Sequence, residues 1–156
     1  MVAISGCAPS LDQEGGNAVA DRVVRAQERL QGMLTSGLAD AELLSEIAGT
    51  IEGDIRSVSR ADIETGSAPD QGFYSFEDTA ENVRVKFLIR AGVMSGGFTQ
   101  QPRGYYTCVE LRGSRMDPKS TVTAHPEVCP DEFADTFILT LDTFVDASTI
   151  GLQPAK

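Results

Sequence analysis

No stretch of this 156-residue chain approaches the ~18 consecutive apolar residues that a membrane-crossing helix needs. Histidine occurs once, as His125, so at most one Ser-His-Asp arrangement can exist. Cysteine occurs three times, at Cys7, Cys108 and Cys129, with no Cys-x-x-Cys among them. The closely spaced ligand pairs on which tetrahedral zinc sites usually draw are therefore missing. Positive charge is scarce: 13 basic residues stand against 23 acidic ones, and the formal net charge is −10. That balance argues against nucleic acid as a partner, because such binding rests on Lys and Arg neutralising phosphates. It also disfavours electrostatic docking on anionic lipid. No Asp-x-Asp-x-Asp-Gly calcium loop is present. The glycines between Gly92 and Gly97 lack a following Gly-Lys-Ser/Thr, so they mark a turn rather than a phosphate cradle. No cofactor is expected.

What is present suffices for a core, with 41% hydrophobic residues in a length that suits one domain. Residues 1–16 read as a leader remnant and flexible tether, with Pro9 and the pair Gly15-Gly16 in its polar part. Residues 17–150 read as the domain and 151–156 as a tail. Asn17 is the expected N-cap of a first helix, whose Val19, Val23, Ala26, Leu30 and Met33 recur on one face. Ser36-Gly37 ends it. Asp40 caps a second helix, with Leu43, Leu44, Ile47 and Ile51 inward, ending near Gly49–Glu52.

Asp54–Ile63 carries both helical spacing and strand-like composition, and is read as a strand. After a loop from Gly66 to Gly72, Phe73–Phe76 forms a short strand. The clearest strand follows: Val83, Val85, Phe87, Ile89, Ala91 and Val93 alternate with Arg84, Lys86, Leu88 and Arg90. Tyr105–Arg112 is the next, with Tyr105, Thr107, Val109 and Leu111 on one face and Tyr106, Cys108, Glu110 and Arg112 on the other. Thr121–His125 is a strand cut short by Pro126, which suits a sheet edge. Phe133, Phe137, Ile138, Leu141, Phe144 and Val145 fit a closing helix, although Thr136, Thr140 and Thr143 favour a strand. The fold class is α+β: N-terminal helices, then a curved antiparallel sheet, then a C-terminal helix. By order of elements alone this looks like cystatin-like or NTF2-like folds.

The candidate ligand-facing residues are Tyr105, Tyr106 and His125, although aromatics on strands usually serve a core and a lone histidine is usually a surface residue. A metal held by Cys108, Cys129 and His125 is the weaker alternative. The carboxylates are scattered, and spacing singles out no acid–base pair.

Ile4-Ser5-Gly6-Cys7 resembles the lipobox of bacterial lipoproteins: an aliphatic residue, two small residues and the cysteine that takes a diacylglyceryl thioether. The resemblance implies cleavage between Gly6 and Cys7 and a mature chain anchored by lipid on Cys7. Only Met1, Val2 and Ala3 precede the box, so it also implies a basic and apolar leader ahead of Met1. Lipid on Cys7 would leave Cys108 and Cys129 as an even pair in an oxidising compartment, joined by a disulfide between neighbouring strands. The alternating strand Val83–Arg90, Tyr106-Thr107-Cys108 and Cys129-Pro130 are similar to features of small secreted bacterial proteins to which no activity is attached.

The expected function is a non-catalytic, lipid-anchored extracytoplasmic protein that binds a partner protein or small ligand. A hydrolase using an acidic pair is the alternative from another class. An accessory subunit of an envelope or secretion complex is the third.

Overall fold

A capping box at Ser10 starts the first helix. Ser10 Oγ accepts from the Gln13 backbone N–H at 3.2 Å, while Gln13 Oε1 accepts from the Ser10 N–H at 2.9 Å. This computed structural model describes residues 10–38, 40–47, 53–57, 61–62, 65, 72–94, 102–131 and 143–149. Helix α1 spans Leu11–Thr35, which moves the expected start from Asn17 to Ser10 and makes 11–16 helix rather than tether. Tertiary packing overrides propensity here. Each glycine costs about 1 kcal/mol relative to alanine inside a helix, yet Gly15 and Gly16 are both buried. A Cβ on Gly15 would fall 2.4 Å from ring atoms of Tyr105, so only glycine lets the helix lie this close to the sheet. Residues 1–9, including Cys7, lie outside the described residues.

Gly15→Ala is therefore expected to destabilise the domain, because overpacking of about 1–3 kcal/mol outweighs the propensity gain of about 1 kcal/mol. Gly32→Ala is its control: that position is exposed, a Cβ there meets nothing within 4 Å, and the variant gains stability. Urea unfolding of both reads the contrast, and a stabilised Gly15→Ala would remove the close-approach account.

The expected inner face of α1 is borne out: Val19, Val23, Ala26, Leu30 and Met33 are all buried. The helix closes on Ser36, and Gly37 takes φ +72°, a left-handed conformation that glycine adopts without strain. Helix α2 (Asp40–Glu46) buries Leu43 and, just past its end, Ile47. Residues 48–52, with Ile51 and the expected end of this helix, lie outside the described residues.

Among the described residues six strands form one mixed sheet: β1 (Gly53–Asp54), β2 (Gly72–Asp78), β3 (Asn82–Met94), β4 (Pro102–Ser114), β5 (Thr123–Glu127) and β6 (Thr143–Phe144). Their order is β1-β2-β3-β4-β5, with β6 beside β4. The sheet expected to be antiparallel is mixed, since β1 runs parallel to β2 and β6 parallel to β4. Of the strand expected over 54–63, Asp54 is in a strand (Gly53–Asp54), Ile55 still donates to Phe73 O at 3.1 Å, and Ala61-Asp62 are helical instead, while 58–60 and 63 lie outside the described residues. Strand β5 runs through Pro126 rather than stopping before it, at the edge where a missing N–H is tolerated. The closing helix is corrected at Thr143–Phe144, which are strand, and Val145 N donates to Tyr106 O at 2.8 Å. Its remaining positions, 133–142, lie outside the described residues.

Strands β3 and β4 form a hairpin paired without a break from Asn82↔Ser114 to Met94↔Pro102. Alternation then sorts the side chains. Val83, Val85, Phe87, Ile89 and Ala91 of β3, with Tyr105, Val109 and Leu111 of β4, share the main core with α1. Burying a Val, Leu, Ile or Phe contributes about 1.5–3 kcal/mol, so this layer carries most of the stability. Two glutamines complete the seam between α1 and the β4–β5 connection. Gln31 donates to Pro118 O at 2.7 Å and accepts from Val122 N at 2.6 Å, while Gln27 donates to Val122 O at 3.1 Å. Val122 thus donates one hydrogen bond to a side chain and accepts one from another, the two that a neighbouring strand would satisfy.

Candidate functional site

The face of the sheet turned away from α1 holds the candidate site. A small apolar cluster of Ile55, Leu88 and Cys108 lies there, with Tyr74, Tyr106 and Cys129 packed against it. A register shift between Phe73 and Ser75 sets Tyr74 apart from the regular β2–β3 pairing, and its ring joins this cluster. The Cys108–Cys129 disulfide is present, with Cα atoms 5.3 Å apart, and it ties β4 to the segment just beyond β5.

Beside that cluster lies a network of charge. Pairing sets Lys86 of β3 and His125 of β5 on either side of Glu110 in β4. Lys86 Nζ lies 3.7 Å from Glu110 Oε2 and 3.2 Å from Glu127 Oε2. Arg112 Nε donates to Glu110 Oε1. The Glu110 side chain is only 6% exposed, so these two cations supply the compensation a buried carboxylate requires. His125 Nε2 is 2.9 Å from Thr123 Oγ1.

Burial pushes the Tyr74 phenol far above its ordinary value, and the negative charges of Glu127 and Glu110 push it further the same way. The sign of the pH effect follows. A folded-state value raised above the unfolded one contributes stability below about pH 10, and that stability is lost as pH rises further, because only the unfolded chain sheds its proton. Tyr74→Phe is expected to flatten this alkaline loss. The urea midpoint followed from about pH 8 to 11 checks it, and an unchanged slope would remove Tyr74 as its source.

The three expected ligand-facing residues separate. Tyr105 is fully buried beneath α1, where its Oη donates to Asp12 Oδ1 at 3.0 Å, so it does not face a ligand. Tyr106 lies on the opposite face, its ring 5.5 Å from that of Phe144. His125 shares that face but stands opposite Glu110, four residues along the strand from Tyr106, or about 13 Å at ~3.3 Å per residue. The two do not close on one small ligand. Glu110, Lys86, Glu127 and Tyr74 went unrecognised in the sequence because strand register brings them together, and alternation alone shows only that Lys86 and Glu110 point outward.

A metal at Cys108, Cys129 and His125 is ruled out in this state by the disulfide, which occupies both sulfurs. Among the described residues no group of three His, Cys, Asp or Glu side chains could hold a metal ion, and no helix is long and apolar enough to cross a membrane. Among the described residues, clefts lie elsewhere. One of about 230 Å3 runs between α1 and the β4–β5 connection, lined by Val24, Gln27, Gln31 and Thr121 among others. A shallow one of about 480 Å3 follows α2 past Glu42 and Glu46. Neither includes the charged network.

No protein-family model, curated protein or solved structure matches the chain.

Proposed function

We propose that this domain works outside the cytoplasm, anchored by lipid on Cys7, and binds a partner protein or small ligand without catalysing a reaction. The observation that carries this reading is the Cys108–Cys129 bond. Structural disulfides persist in oxidising compartments, and this one accounts for two of the three cysteines, leaving Cys7 in its lipobox-like setting. The binding surface in this reading is the sheet face opposite α1. There Tyr106, Lys86, Arg112, His125 and Glu127 retain exposure beside the small apolar cluster, a mixture suited to a polar rim. The long helix laid over an antiparallel hairpin supports the cystatin-like or NTF2-like order of elements, a likeness that carries no activity.

The deciding measurement is the intact mass of the protein extracted from its native membrane. The expected mass begins at Cys7 and includes acyl chains. An unmodified chain retaining Met1, with a Cys7 thiol open to alkylation, would overturn the anchor.

The hydrolytic reading has one observation in its favour, since Glu110 and Glu127 meet at the same lysine. It is the weaker reading. An acid–base pair needs two carboxyls in contrasting surroundings, whereas here one cation serves both and Arg112 takes a further oxygen of Glu110.

A further inference from the structure

We infer that the end of the domain where α1 begins lies against the bilayer, with Met94 and Phe144 meeting the headgroup region. This rests on the anchor at Cys7 and adds an orientation to it.

Tether length carries most of the weight. Ser10 is already the cap of a helix, so only Ala8 and Pro9 separate it from Cys7, three residue-to-residue steps in all. At full extension they span about 11 Å. The start of α1 is thus confined to within roughly that distance of the lipid. The 25 residues of α1 extend about 37 Å at 1.5 Å each, so the far end of the domain has a reach the near end lacks.

The near end can be traced through the sheet. Gly15 packs on the Tyr105 ring and Asp12 accepts from its hydroxyl, which fixes the start of α1 over the start of β4. Pairing then places Met94 opposite Pro102, and Thr143 and Phe144 beside Tyr105 and Tyr106. Met94 is 54% exposed and Phe144 48% exposed, two large apolar side chains at the end the tether holds to the lipid. Met116 is 76% exposed but lies at the other end, where Gln31 and Arg115 tie its loop to the C-terminal part of α1.

Charge does not create this contact. Asp12 and Glu14 are exposed in the first turn of α1, Arg103 is exposed at the start of β4, and the net charge of the chain is −10, so this end has no excess of positive charge among its described residues to draw it to anionic lipid. The tether supplies a high effective concentration, and partial burial of the two apolar groups sets the orientation. The partner that fits is therefore a zwitterionic bilayer surface.

The chain has no tryptophan, so a single introduced indole reports one position unambiguously. Phe144→Trp, Met94→Trp and Met116→Trp would each be prepared in the full chain with the disulfide intact. Cys7, the one cysteine outside the disulfide, would be coupled to a maleimide-headgroup lipid in phosphatidylcholine vesicles containing spin-labelled phosphatidylcholine quencher. The expected result is several-fold stronger quenching, with a blue shift, for Phe144→Trp and Met94→Trp than for Met116→Trp. Little change with salt is expected. Equal quenching at all three sites, or stronger quenching at Met116→Trp, would overturn the orientation. Because chemical coupling replaces native acylation, this failure is distinct from failure of the anchor, which the native mass alone decides.

Discussion

Replacing Arg115 by alanine is expected to destabilise the domain by about 3–5 kcal/mol, the range for removing one partner of a buried ion pair. The pair is well shielded: the Asp78 side chain is 5% exposed and that of Arg115 17%. Arg115 approaches Asp78 through two nitrogens, with Nε 3.0 Å from Oδ1, and its Nη1 donates to Leu38 O at 2.7 Å. One guanidinium therefore joins the end of β2, the loop after β4 and the link that follows α1. Alanine would strand the Asp78 carboxylate without its counter-ion and leave a carbonyl without its donor. The double variant Asp78→Leu with Arg115→Met should recover most of the loss, because removing both charges also removes the desolvation penalty. Urea unfolding of the single and double variants reads the coupling. A loss below about 1 kcal/mol for Arg115→Ala would show that solvent screens the pair as it does a surface salt bridge.

Loss of the disulfide is the second large effect. Cys108 and Cys129 lie 21 residues apart, and closing a loop of that size contributes about 3 kcal/mol in the chain-entropy account. The double variant Cys108→Ala with Cys129→Ala should therefore melt roughly 6–12 °C lower, at about 2–4 °C per kcal/mol for a chain of this length. Changing both residues avoids leaving a lone thiol in the apolar cluster. Reductant provides the internal control: it should lower the wild-type midpoint toward that of the variant and leave the variant unmoved. A wild-type midpoint insensitive to complete reduction would mean that the bond contributes little.

These effects fall on features of unequal legibility. The inner face of α1 could be read directly, because Val19, Val23, Ala26, Leu30 and Met33 repeat at helical spacing and nothing nearby competes. The alternation in β3 was as plain, and it placed Leu88 opposite in direction to Phe87 and Ile89. The disulfide followed from the lipobox resemblance and cysteine count, then from the placement of both residues near adjacent strands. The start of α1 did not follow. Gly15-Gly16 carries the local signature of a tether, and only the Tyr105 ring across the interface explains why glycine is needed inside a helix. Tyr105 itself misled for the same reason, since an aromatic on a strand has the same local pattern whether it faces a ligand or a helix.

The sequence by itself determined periodicity, charge balance and cysteine arithmetic. Those quantities dictate the α+β class and the buried faces of α1 and β3. They depend on neighbours a few residues away, where the geometry of helix and strand is known in advance. Only the tertiary structure decided which outward-facing residues meet. Lys86, Glu110 and Glu127 become one network through the β3–β4 and β4–β5 registers, and Arg115 finds Asp78 across 37 positions of chain. Gln27 and Gln31 act as strand surrogates for Val122 across more than 90. Such contacts rest on register and on the docking of α1, and a slip of a single residue would turn each side chain to the other face of the sheet.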